Sequence, residues 1–165
     1  MEVHPIPPVY SRDPQNPPRV LILGSFPSVK SREAAFFYGH PQNRFWRVMA
    51  AILNAPLPTT VDEKIRLLMS NGIALWDVIA SCEITGSSDT SIRNVTPTDL
   101  APMLACGTIR AVFTNGGTAT RLYKRYQESV TLLPAIQLPS TSPANAAKSL
   151  DALIEEWAVV RAYLP

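Results

Sequence analysis

Short apolar runs alternate along this chain with stretches of helical periodicity. RVLILG, Arg19 to Gly24, is continuous and ends in glycine, as expected of a parallel strand buried on both faces. Helical spacing follows from Asn43 to Leu53 and is stopped by Pro56 and Pro58. Thr60 opens TVDE, a capping box with Glu63, and the helix it starts ends at Asn71 and Gly72. IALWDV, Ile73 to Val78, reads as a second strand. The polar stretch SCEITGSSDTSIRN after it reads as a loop of the length that often carries function. A short helix over Asp99–Leu104, a strand over Ile109–Asn115 and a helix from Gly116 and Gly117 through Tyr126 come next. AIQLP is the fourth strand, and Ser149–Leu164 the last helix, with Leu150, Leu153, Ile154, Trp157 and Val160 on one face.

Strands alternating with helices predict an α/β fold, its parallel sheet covered on both sides. The proline-rich residues 1–18 read as an extended lead-in, and residues 19–165 as a single domain. Ligands of such sheets bind beyond the carboxyl ends of the strands. GSFPS, DVIASCE, NGG and PSTSPAN all fall on that rim.

Composition narrows the class. Of 165 residues 46% are apolar and 17% charged, which is globular. No run resembles a signal peptide or a membrane span, so no membrane association is expected. Cys82 and Cys106 suit a reducing cytoplasm, and with His4 and His40 far apart no metal site is expected. A net charge of +2 does not by itself argue for nucleic acid. The clusters Lys30/Arg32, Arg44/Arg47 and Arg121/Lys124/Arg125 read equally as solvated faces.

FFYGHPQNRFWRVM, Phe36 to Met49, is not explained by helix formation alone. Asn43 as a cap and Phe45, Trp46 and Met49 as a buried stripe account for the helix, but not for the aromatic and polar residues before it. GSFPS, FYGHPQNRFW and LPSTSPAN together resemble the uracil-DNA glycosylase superfamily, over Arg19 to about Leu164. HPQNRFW is also similar to the mismatch-specific uracil-DNA glycosylases. GSFPS combined with HPQN is closer to the hypoxanthine-DNA glycosylase branch. The resemblance implies a three-layer α/β sandwich with a short, mainly parallel sheet of about four strands. It further implies a monofunctional enzyme without cofactor or metal that acts as a monomer on DNA containing deaminated bases.

Two departures bear on substrate. Phe26 stands where mismatch-specific relatives carry a water-positioning asparagine, and Leu138 where relatives carry His or Asn. The resemblance then assigns the water to Asn43 and favours hypoxanthine over uracil, while His40 reads equally as an assistant bonding water or phosphate and as a structural histidine. Tyr38 falls at the position of the ring that stacks on the extruded base. Ser25 and Phe26 lie at the turn facing the base or its phosphate. Asp77, a carboxylate that only accepts hydrogen bonds, is suited to the N1–H of hypoxanthine. Ser28, Ser140, Thr141, Ser142 and Asn145 resemble the residues that grip phosphate and fill the gap left by the flipped base. Ser142 before Pro143 also reads as a helix cap, Phe36 and Phe37 as core, and Asn115 as part of a strand-to-helix turn. The alternatives are a mismatch-specific uracil-DNA glycosylase and an inactive DNA-binding module. A serine hydrolase using Ser25 or Ser140 is disfavoured, since no G-x-S-x-G elbow is present.

Overall fold

A computed structural model describes residues 1–165. In chain order the strands are β1 (Glu2–Val3), β2 (Val20–Gly24), β3 (Ile73–Asp77), β4 (Ile79–Glu83), β5 (Arg93–Pro97), β6 (Ala111–Asn115) and β7 (Ala135–Leu138). The helices are α1 (Val29–Ala34), α2 (Phe45–Ile52), α3 (Val61–Ser70), α4 (Ala101–Leu104), α5 (Gly117–Tyr126), α6 (Glu128–Thr131) and α7 (Leu150–Trp157). No helix is long and apolar enough to cross a membrane.

The main sheet has the order β3-β2-β6-β7, all parallel. Because β2 is central, its successive side chains enter two different cores. Val20 and Ile22 pack with Val48 and Met49 of α2, Leu68 of α3 and Leu153 and Trp157 of α7. Leu21 and Leu23 pack on the opposite face with Met103 of α4 and Leu122 and Tyr123 of α5. Burial on both faces is why this strand is a continuous apolar run rather than an alternating one. The chain leaves β2 toward β3 and then crosses to β6 on the other side. The carboxyl ends of β2 and β6 therefore flank a topological switch point, where such sheets form a crevice.

Helix starts follow local chemistry. Thr60 Oγ1 accepts from the Glu63 amide at 3.1 Å, as its capping box predicts. The reciprocal bond is displaced by one residue, the Glu63 carboxylate accepting from the Thr59 amide at 3.1 Å. Ser149 Oγ accepts from the Ala152 amide and starts α7, which tightens into a 3-10 turn over Ala158–Tyr163 instead of continuing as one helix.

Three sequence expectations are corrected. The polar stretch after β3 is not one long loop: β4 and β5 pair antiparallel, and with β1 they form a second sheet. No helix starts at Ser142–Pro143. Ser142 Oγ instead closes a turn onto the Ala144 amide at 3.1 Å. Residues 1–18 are extended, but they are also packed: Ile6 and Val9 lie in the larger core, and Val9 exchanges backbone hydrogen bonds of 2.9 and 2.8 Å with Leu75.

Each of the three tryptophans ties a core element to a segment that shapes the strand-end crevice. The indole N–H of Trp46 donates to Phe37 O at 3.1 Å, that of Trp76 to Ile6 O at 3.1 Å, and that of Trp157 to Pro139 O at 3.0 Å. Trp46 and Trp157 are buried and Trp76 partly so, and truncating a buried tryptophan costs about 3–5 kcal/mol. Here the same residues also hold three irregular segments in register with the sheet.

Candidate active site

A pocket of about 140 Å³ opens at the carboxyl ends of β2, β3 and β6. Its floor is Gly24. A Cβ there would lie 2.5 Å from Asp77 Oδ1 and 3.0 Å from the Tyr38 hydroxyl, so only glycine lets both groups close over the strand end.

Tyr38 comes from the segment before α2 and adopts a positive φ of 53°, rare for a residue with a side chain. Its ring stacks on Phe45 with centroids 4.1 Å apart and planes at 20°. Asn115 Nδ2 donates to its hydroxyl at 3.1 Å. Burial, reinforced by the Asp77 charge, pushes the phenol far above its ordinary pKa, so Tyr38 stays neutral and keeps its proton.

Asn43 also lines the pocket. Its Oδ1 accepts from the Phe45 amide at 2.9 Å, fixing the first turn of α2, with Arg44 as the last residue before the helix. An amide N–H can only donate, so the atom facing it is oxygen, and Nδ2 is the group left for the pocket. Helix-starting and pocket-lining roles therefore coexist in one side chain. His40 does not join the wall: its Nδ1 accepts from the Gln42 amide at 3.0 Å and closes the turn before Asn43.

Asp77, at the end of β3, is 4% exposed and accepts from His4 Nε2 at 2.7 Å. Phe26 packs edge-on against that histidine at 5.7 Å, so it closes the pocket with an apolar ring. Leu138 is buried in the larger core. Ser25 lines the pocket, and Ser28 does too while capping α1 by accepting from the Ser31 amide at 3.2 Å.

Asn115 does more than build a turn. Besides Tyr38, its Nδ2 donates to Thr141 Oγ1 at 3.0 Å, and its Oδ1 accepts from the Thr141 amide at 3.0 Å. Thr141 is fully buried as a result. Ser140 Oγ accepts from the Ser142 amide at 3.1 Å, and Asn145 Nδ2 donates to Ser140 O at 3.0 Å. Arg44 ties this loop to the motif of Asn43. Its amide donates to Thr141 O at 3.1 Å, and its guanidinium to Ser142 O at 3.2 Å, Asn145 O at 3.0 Å and Lys148 O. Ser140, Thr141 and Ser142 reach the pocket, whereas Asn145 lines an adjoining, more open hollow with Gly116, Thr118 and Lys148.

Three contributors escape the sequence reading. His4 lay in the lead-in, Asn115 read as a turn residue, and Asp89 was hidden in the polar stretch. Asp89 sits on a 3-10 turn (Asp89–Ser91) at the rim shared by pocket and hollow. The residue is exposed overall, yet partial withdrawal of its carboxyl from water raises its pKa above the usual carboxylate value. Thr118, Ser25 and Arg121 pull the other way. The only signal for it was the length of that stretch. No group of three His, Cys, Asp or Glu side chains converges to hold a metal.

A small polar pocket at a sheet switch point, with an acceptor-only carboxylate, a neutral phenol and an amide on its walls, suits recognition of a planar heterocycle. The solution NMR structure of a candidate uracil DNA glycosylase from Methanosarcina acetivorans superposes with a TM-score of 0.80. It is 28% identical and matched over 96% of each chain. A hypoxanthine DNA glycosylase of Methanosarcina barkeri is 37% identical over 76 residues, 46% of this chain and 48% of the relative. Another of that name from Methanosarcina acetivorans is 38% identical over 74 residues, 44% of this chain and 47% of the relative. The matched stretch thus spans about half the length of these two curated relatives. The profile of the uracil DNA glycosylase superfamily matches residues 12–163, nearly the whole fold, and the chain belongs to that superfamily.

Proposed function

We propose that this protein is a DNA glycosylase that hydrolyses the N-glycosidic bond of a deaminated nucleotide, with hypoxanthine as its preferred base. The observation that carries the reading is the Asp77 carboxylate turned over Gly24 into the pocket. A carboxylate accepts from the N1–H of hypoxanthine, whereas adenine offers a lone pair at that atom and is repelled. The names of the two partial relatives support the same substrate.

The target nucleotide is flipped from the helix at a cost of roughly a few kcal/mol and enters the pocket with its base edge toward Asp77 and the Tyr38 hydroxyl. Asn43 holds the attacking water through its free Nδ2. As the water oxygen bonds to C1′, the bond to N9 breaks and its electron pair leaves with the base. One water proton stays on the new C1′ hydroxyl and the other passes to the departing base through solvent, giving an abasic sugar and neutral free hypoxanthine. Ser28 at the start of α1 and Ser140, Ser142 and Asn145 on the loop after β7 serve the flanking phosphates and the gap in the stack, while the fully buried Thr141 holds that loop to Asn115. Phe26 supplies no polar group to a water or a pyrimidine, which sets uracil lower.

The test is single-turnover release from oligonucleotides carrying deoxyinosine, deoxyuridine or deoxyxanthosine opposite each partner base, read as alkali-labile cleavage. Deoxyinosine is expected to be processed fastest. Faster release of uracil opposite guanine would move the protein to the mismatch-specific branch. Binding to inosine DNA without release of any base would leave a DNA-binding module.

A further inference from the structure

Asp77 depends on a residue that the sequence places outside the domain. The His4 side chain is 3% exposed, enclosed by the rings of Phe26, Phe37 and Trp76 at 5.7, 5.9 and 6.3 Å. Its Nδ1 accepts from the Ile6 amide at 3.1 Å. A nitrogen that accepts cannot carry the proton, so His4 is the Nε2–H tautomer and donates that proton to Asp77 Oδ2. This is the only hydrogen bond the Asp77 side chain receives within the protein, and Oδ1 is left facing the pocket across Gly24. That oxygen has no partner in the protein and stays open to the pocket, so it is free to accept from a ligand N–H.

On the other side of Gly24 the Tyr38 hydroxyl is polarised in the opposite sense. Asn115 Oδ1 is committed to the Thr141 amide, so Asn115 meets Tyr38 with its NH2 group. The hydroxyl oxygen accepts there, and no group of the protein takes its proton. The floor of the pocket thus presents an acceptor and a donor side by side.

We infer that the arm of residues 1–10 is part of the base-reading site: His4 is a positioning residue that holds Asp77 so that its Oδ1, paired with the Tyr38 hydroxyl, reads the adjacent N–H and C=O of a deaminated base. This rests on the glycosylase reading above. Asp77 takes the N1–H and Tyr38 donates to O6. An amidine edge, as in adenine, places a lone pair against the carboxylate. His4 touches no substrate; it fixes the rotamer of the group that does. The arm can sustain this role because it is anchored independently, by His4 N–H to Ala80 O at 2.8 Å, by Trp76 to Ile6 O and by the Val9–Leu75 pair.

The test compares wild type, His4→Ala and His4→Gln in single-turnover release of hypoxanthine across a range of enzyme concentrations. Affinity for a duplex holding a tetrahydrofuran abasic analogue is measured alongside, as is thermal melting. His4→Ala is expected to lower the excision efficiency by about ten- to hundredfold, the range for a hydrogen bond to a charged group. His4→Gln, which keeps an N–H donor near the Nε2 position, is expected to recover to within about threefold of wild type. Affinity for the base-free duplex is expected to stay within about twofold, since nothing is left for Asp77 to read. Wild-type excision by His4→Ala overturns the inference. So does equal loss in both variants that tracks melting, or an equal loss of affinity for the base-free duplex. If wild type itself releases no hypoxanthine, the hypoxanthine assignment fails and takes this inference with it. If wild type releases it and only the His4 variants disagree, the glycosylase reading stands.

Discussion

On one side of the pocket Tyr38 and Asn43 belong to a single short motif whose fold is set by its own helix. On the other, Asp77 takes its one hydrogen bond from His4, 73 positions away. The first wall is preorganised locally: the Asn43–Phe45 contact spans two residues, and Tyr38 stacks on Phe45 from the same motif. The second exists only when the arm, the ends of β2, β3 and β6 and the loop after β7 have assembled. Damage to the first wall should therefore reach the chemistry with little change in fold. Damage to the second should affect recognition and folding together, because its groups are buried and mutually satisfied.

Asn43→Ala gives the largest expected effect. Single-turnover release should fall by about a hundredfold or more, the range for loss of a positioned polar group in an active site. Stability should fall by only about 1 kcal/mol, from loss of the contact with the Phe45 amide. Asn43→Asp keeps an acceptor for that amide but removes Nδ2, so it should melt like wild type and remain slow. If Asn43→Ala melts earlier but excises normally, the local wall is a helix start and nothing more.

Gly24→Ala strikes where the two walls meet. Its methyl group would stand 2.5 Å from Asp77 Oδ1 and 3.0 Å from the Tyr38 hydroxyl. Excision should drop by about tenfold or more, with a stability loss of about 1–3 kcal/mol from overpacking. Melting and single-turnover assays on the same preparation separate the two effects. An unchanged rate would mean that neither group needs its present position.

Arg44→Met probes the tie between the motif and the loop after β7. Three carbonyls, of Ser142, Asn145 and Lys148, lose their donor. The cost should be about 1–2 kcal/mol, as those carbonyls turn partly to water. Limited proteolysis should cut first between residues 140 and 148. Protection there equal to wild type would show that Asn115 and Trp157 hold the loop without Arg44.

The smallest effect belongs to Asp89. Its folded pKa is raised, so the folded state holds a proton that the unfolded chain has already lost, and ionisation at neutral pH is a penalty on the fold. Asp89→Asn should melt slightly higher than wild type at pH 7. The gap should shrink as pH falls through the raised carboxyl range and vanish once the unfolded carboxyl is protonated too. A gap that widened toward acid would reverse the sign assigned to this group.

The sequence by itself determined the elements whose signals are local. β2 is a continuous apolar run because both faces are covered, and α3 and α7 begin at Thr60 and Ser149 because a hydroxyl can reach an amide three residues on. It also brought nearly every pocket-lining candidate to the correct rim, since parallel strands and their following loops share one end of the sheet. Tertiary structure alone decided the rest. β4 and β5 are strands because β1 and each other complete their ladder, and a polar stretch carries no sign of a partner that is distant in sequence. That His4 meets Asp77 while His40 lies outside the pocket wall was decided for the same reason. Which histidine meets a carboxylate depends on where the chain returns in space, and that return is fixed by the burial of Ile6 and Val9 and by the indole of Trp76.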